Sequence, residues 1–222
     1  MIKFTDVSVK KNDVTILKKI NMHISEQRIG IIGRNGSGKS TFVRLLNGIE
    51  TPSTGTVILD DSYEGEALRH HVGFVFQNPD NQIVYPIVSE DLAFGLKKLK
   101  LSPEETKNCI DEVLSRFGLE YLRDRLTHQL SGGEKQMIAL AGVLVMRPEV
   151  IVFDEPTTLL DLKNKQKFMT AIEELDQQVI VVSHDLEFLK KFDRVIHIDD
   201  GLIVGDGDPA SIIATYIANS QC

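Results

Sequence analysis

The sequence predicts an α/β fold with a mostly parallel sheet, an antiparallel β start and a helical insert. Three observations lead there. Short, almost wholly apolar runs at 28–33, 150–153, 179–182 and 195–198 have strand length and no polar alternation, the pattern of strands covered on both faces. Helical spacing recurs between them, at 39–46 and 162–175. Ahead of them, residues 2–9 and 14–24 alternate apolar and polar around Lys10-Lys11-Asn12-Asp13, as a hairpin with one solvated face does.

The helical insert follows from 88–118, where Ser102, Pro103 and Glu105 supply an N-cap, a first-turn proline and a capping-box carboxylate ahead of Cys109, Ile110, Val113 and Leu114. A last helix is expected over 208–218. The whole chain, 1–222, is expected to form one domain, with 1–87 and 147–222 as its core and about 88–146 as the helical part. No further domain is expected.

Composition narrows the function. The chain has 222 residues, 42% of them hydrophobic and 26% charged, enough for a sizeable core. Its net charge of −7 disfavours nucleic acid and anionic membrane surfaces as partners. The longest apolar runs fall far short of the roughly 20 residues that cross a bilayer. The first six residues lack the basic start and apolar centre of a signal peptide, so a cytosolic chain is expected. Cys109 and Cys222 have neither metal-ligand spacing nor a disulfide framework.

Two motifs carry the chemistry. Gly33-Arg34-Asn35-Gly36-Ser37-Gly38-Lys39-Ser40 fits G-x-x-x-x-G-K-[ST] between a strand and a helix, with Thr41 next in that helix. Its backbone N–H groups and helix start would face phosphate oxygens, Lys39 would supply a point charge, and Ser40 would ligate Mg²⁺. Nucleoside triphosphate binding is the implication. After four apolar residues, Asp154 and Glu155 stand at the C-terminal edge of a strand, where ligands gather in open α/β sheets. Asp154 would hold the metal, and Glu155 would orient or deprotonate the water that attacks the γ-phosphate.

A third stretch, Leu130-Ser131-Gly132-Gly133-Glu134, reads physically as a capped helix start with two glycines baring its backbone. It is also similar to the signature of the ATP-binding cassette (ABC) ATPases, usually written Leu-Ser-Gly-Gly-Gln. The resemblance extends over essentially the whole chain, through Gln77 after the 72–76 strand, the 157–161 loop and His184 after 179–183. It implies a P-loop NTPase core with a helical signature subdomain, and ATP and Mg²⁺ as ligands. It further implies that Gln77 reaches the metal and the attacking water, that His184 contacts the γ-phosphate, and that Asp161 lies at a dimer seam. Ser131, Gly132 and Gly133 would meet the nucleotide held by a second ABC ATPase subunit, either a copy of this chain or a related paralogue.

Two positions depart from the family. Glu134 replaces Gln, and as the third residue of a capping box it should turn back to Ser131 instead of facing phosphate. No aromatic stands near Lys11, where many members stack adenine, so a looser preference for ATP over GTP is expected.

Residues 77–95 resemble the same stretch in ATPases of energy-coupling factor (ECF) importers, which take up vitamins or transition-metal ions. The implied partners are an integral membrane coupling subunit and a small membrane substrate-binding subunit, with the chain on the cytoplasmic face of the membrane. Biotin is the favoured cargo and cobalt or nickel the alternative. Ile83, Val84, Tyr85 and Ile87 are either core or a groove for a partner helix. A soluble cassette ATPase remains the alternative function; a small-molecule kinase would leave the signature and His184 unexplained.

Overall fold

A computed structural model describes residues 1–220; Cys222 lies outside them. The chain forms two compact units. One comprises 1–74, 149–155 and 177–222, the other 75–148 and 156–176.

The first unit opens with β1 (Ile2–Lys11) and β2 (Val14–Ile24), antiparallel from Ile2 opposite Ile24 to Lys11 opposite Val14. The turn is tighter than expected: only Asn12 and Asp13 lie outside the strands, at φ 46° and 65°. That pair of positive φ values gives a turn whose twist matches the strands, and Asn and Asp tolerate it. On the other side of β1 lie β4 (Thr54–Leu59) and then β5 (Tyr63–Glu64), which completes a four-stranded antiparallel sheet. Neither strand was anticipated.

The second sheet of this unit has the order β10-β9-β3-β8-β7-β6. Its centre is β3 (Arg28–Ile32), β8 (Gln178–Val182) and β7 (Val150–Asp154), all parallel. These runs are buried almost throughout, which is why they show no polar alternation. β9 (Arg194–Asp199) continues the parallel set, β6 (Val72–Val75) flanks β7, and β10 (Leu202–Gly207) runs antiparallel to β9 at the edge. The expected strand 72–76 thus ends one residue early. Helix α1 (Lys39–Leu46) packs its buried face of Phe42, Val43, Leu45 and Leu46 on β7 and β8. A short helix, α6 (Leu186–Leu189), follows β8. The last helix, α7 (Pro209–Ser220), starts one residue later than expected because Asp208 is its cap, accepting from the Ser211 N–H at 3.0 Å.

The second unit is helical. The 88–118 periodicity resolves into α2 (Val88–Leu96) and α3 (Pro103–Arg116), the latter with the expected box: Ser102 Oγ accepts from the Glu105 N–H, and Glu105 from the Ser102 N–H. Helix α4 (Gly132–Leu144) is buried along most of its length, and α5 (Leu162–Glu173) ends two residues short of the expected 175. Among the described residues no helix is long and apolar enough to cross a membrane.

Candidate nucleotide site

The 33–38 turn joins β3 to α1, and the fold forces its shape. Gly33 has φ 149°, and a Cβ there would stand 2.0 Å from the Ile198 carbonyl oxygen, so β9 excludes any side chain. Arg34, Asn35 and Gly36 form the exposed outer turn; the Ser37 N–H donates back to the Arg34 carbonyl at 3.2 Å. α1 starts at Gly38 with no side-chain cap and no acidic residue in its first turn, which includes Ser40 and the half-buried Thr41. By contrast α3, α4, α5 and α6 are capped by Ser102, Ser131, Asp161 and Asp185. An uncapped start leaves N–H groups and the positive helix end available to an anion. Ser37 Oγ is buried with no hydrogen-bond partner, a further polar group left for a ligand.

Lys39 lies across this turn. It is only 5% exposed, and its Nζ donates to the Gly33 carbonyl at 2.8 Å and the Arg34 carbonyl at 2.9 Å. Burial pushes its pKa down, while Glu155 and Asp154 pull it back up. The Ser40 hydroxyl donates to Asp154 Oδ1 at 3.0 Å, and Arg44 Nη2 lies 3.8 Å from Oδ2. Burial raises the Asp154 pKa; the Ser40 hydroxyl and the Arg44 charge counter it. A hydroxyl beside an anionic carboxylate is an oxygen pair suited to a hard divalent ion such as Mg²⁺, with phosphate oxygens and water completing the shell.

Glu155 is held differently. Its backbone turns left-handed, φ 50°, and its N–H donates to the Val182 carbonyl at 3.0 Å, a conformation costly for a non-glycine residue and typical of functional positions. Its Oε1 lies 3.1 Å from Nε2 of the exposed His184, which stands just beyond β8. Lys39, Ser40, Asp154, Glu155 and His184 therefore converge at the C-terminal ends of the parallel strands β3, β7 and β8. Arg44 joins them without having been anticipated; its place one turn after Ser40 on α1 is the signal that could have found it.

The remaining expected residues belong to the second unit. Gln77 is exposed on the loop after β6. Ser131 caps α4: its Oγ accepts from the Glu134 N–H at 3.3 Å, while Glu134 Oε2 accepts from the Ser131 N–H at 2.8 Å. The Tyr121 hydroxyl donates to Glu134 Oε1 at 3.1 Å. Glu134 thus turns back as expected, and the Ser131 hydroxyl, first, holds its pKa below the ordinary value. Gly132 is exposed and Gly133 buried; Asp161 caps α5. Lys11, at the place of the missing aromatic, is instead paired with Glu50.

The Glu134→Gln variant is expected to hydrolyse ATP within about twofold of the unchanged rate, because a carboxamide oxygen still accepts from the Ser131 N–H. Phosphate-release kinetics check it. A change beyond about tenfold means that the carboxylate faces the nucleotide.

Residues 17–158 match the family described as ABC transporter. The biotin transport ATP-binding protein BioM of Rhizobium etli is 44% identical over 97% of each chain. The energy-coupling factor transporter ATP-binding protein EcfA1 of Caldanaerobacter subterraneus is 42% identical over 89% of this chain and 75% of its own length. The solved structure of cbiO1 from Clostridium perfringens, part of the ABC transporter complex cbiONQ, is 36% identical with a TM-score of 0.85, covering 97% of this chain and 91% of that one. The chain belongs to the ABC transporter family, as an ATP-hydrolysing subunit of the energy-coupling factor type.

Proposed function

We propose that the chain works as one of two ATPase subunits that close on two ATP molecules and drive import through membrane partners, with biotin as the cargo. The observation that carries the catalytic half is the convergence of Lys39, Ser40, Asp154, Glu155 and His184 beside the uncapped start of α1. In this reading Ser40 and Asp154 would hold Mg²⁺, which would supply charge neutralisation for the phosphates. The turn 33–38, with Lys39 and Thr41, binds the triphosphate. Glu155 takes the proton of the attacking water, and His184 contacts the γ-phosphate.

Ser131, Gly132 and Gly133 would meet the nucleotide of the second subunit, with Asp161 at the seam. In support, Leu159 and Leu162 flank Asp161 at 63% and 85% exposure, large apolar residues that a partner surface would cover. The chain 1–222 acts as one nucleotide-binding domain.

For the membrane partner, the support is the surface around α2. Ile83, Tyr85 and Ile87 are half-buried, Val84 is 70% exposed, and the Tyr85 ring packs at 5.2 Å on the exposed Phe94, leaving apolar area for a helix of the coupling subunit on the cytoplasmic face. Biotin is favoured over cobalt or nickel by the 44% identity to BioM across nearly the whole chain.

The test is purification of the C-terminally tagged chain from gently solubilised native membranes, with mass spectrometry of what accompanies it. A larger helical membrane protein together with a small, very hydrophobic one is expected, and the small one should bind biotin. Binding of cobalt or nickel instead changes the cargo. Recovery of only soluble partners, or of none, leaves a cassette ATPase not coupled to transport.

A further inference from the structure

Both carboxylate oxygens of Asp161 are taken by one residue. Oδ1 accepts from the Asn164 backbone N–H at 2.8 Å and Oδ2 from Asn164 Nδ2 at 2.9 Å. The backbone half of this pair is an ordinary helix cap. The side-chain half is not required by capping, and it fixes the direction of the Asn164 carboxamide.

That carboxamide lies over Gly133, in the first turn of α4. A Cβ on Gly133 would stand 2.4 Å from Asn164 Cγ, 2.5 Å from Oδ1 and 2.8 Å from Nδ2, closer than atoms approach without one of them moving. Gly133 is not among the glycines with positive φ, so backbone conformation does not demand glycine there. Space does. Asn164 cannot swing aside without giving up its bond to Asp161.

We infer that Asn164 is a positioning residue that locks the start of α4 to the 157–161 loop, and that Gly133 is glycine in this chain in order to seat it. The inference rests on the proposed reading that Ser131 to Gly133 and Asp161 both face a second subunit. Its consequence is that these two elements move as one body, so that closure presents both to the opposite nucleotide or neither.

The experiment compares Gly133→Ala, Asn164→Ala and the double variant in the full-length chain, by kcat and KM for ATP and by thermal melting. Gly133→Ala is expected to lose about tenfold or more in kcat, because its methyl displaces Asn164. Asn164→Ala should lose at least about threefold in kcat with KM nearly unchanged, since ATP is held by the 33–41 segment. The double variant should climb back to the Asn164→Ala level, the new methyl occupying the room the carboxamide left.

A double variant as slow as Gly133→Ala overturns the inference, because the methyl would then be obstructing the nucleotide. So does a Gly133→Ala or Asn164→Ala variant with unchanged kcat, or one whose only change is a lower melting temperature. Should Gly133→Ala fail to fold, recovery of a folded double variant supports the contact, and a double variant that also fails to fold overturns it. ATP-dependent dimerisation of a Glu155→Gln chain, read in parallel by size-exclusion chromatography, separates the two levels. Its absence overturns the two-subunit reading, while the rescue in turnover still decides whether Asn164 seats on Gly133.

Discussion

Glu155→Gln is expected to keep ATP binding and to lose about 100-fold or more in turnover, while an ATP-dependent dimer accumulates. The magnitude is that of removing a general base, roughly 10²–10⁴-fold. The geometry gives the reason. A glutamate in the left-handed region, φ 50°, is strained, and here the strain is held by the bond from its N–H to the Val182 carbonyl. Those constraints belong to the backbone and survive the substitution. The contact between Oε1 and His184 Nε2 at 3.1 Å also survives, since a carboxamide can accept from or donate to the ring.

On the proposed role of Glu155, what disappears is the ability to take a proton from water. Binding and hydrolysis should therefore separate: nucleotide titration unchanged, phosphate release collapsed. A variant that retains more than about a tenth of the turnover would put the base elsewhere, with His184 the first residue to examine. A variant that no longer binds ATP would instead show that the Glu155 charge is needed to hold Lys39 in its buried position.

The parts of this site legible in the sequence are those whose geometry is local. The capping box of Ser131 and Glu134 spans four residues, so spacing alone gives its hydrogen bonds, and the structure has them. The glycines of 33–38 could be placed for the same reason. The wholly apolar strands were legible because a parallel sheet buries both faces. Strand β10 was missed because burial alternates along it, because it carries Gly205 and Asp206, and because it lies at an edge. The signal that could have found it is Asp200-Gly201, with φ 44° and 74°, a hairpin turn directly after β9.

The remainder depends on residues far apart in the chain. Helical spacing puts Arg44 on the Ser40 face of α1, but the pairing of that face with Asp154, 110 positions on, and the approach of the Gly33 Cα to the Ile198 carbonyl come only from the fold. The contact of Asn164 with Gly133 was likewise invisible. Gly133 reads as a backbone bared for an anion, and only packing reveals that a side chain of the same unit occupies the space above it.

Lys39→Ala is expected to lower ATP affinity by about tenfold to a hundredfold, the equivalent of one charge-assisted hydrogen bond of ~1.5–3 kcal/mol. Lys39 has two tasks. It neutralises part of a cluster that otherwise holds Asp154 and Glu155 together, and it donates to the Gly33 and Arg34 carbonyls, closing the turn from within. Alanine removes both. The two carbonyls lose their donor, and a triphosphate would approach the two carboxylates with one cation fewer beside them. Arginine should not rescue, because its planar fork cannot replace a compact ammonium in a site this buried. Calorimetric titration with ATP measures the loss, with thermal melting to establish that the variant is folded. An affinity within about threefold of the unchanged chain would mean that the α1 helix start and the backbone N–H groups bind the phosphates unaided, leaving Lys39 as a strut of the turn.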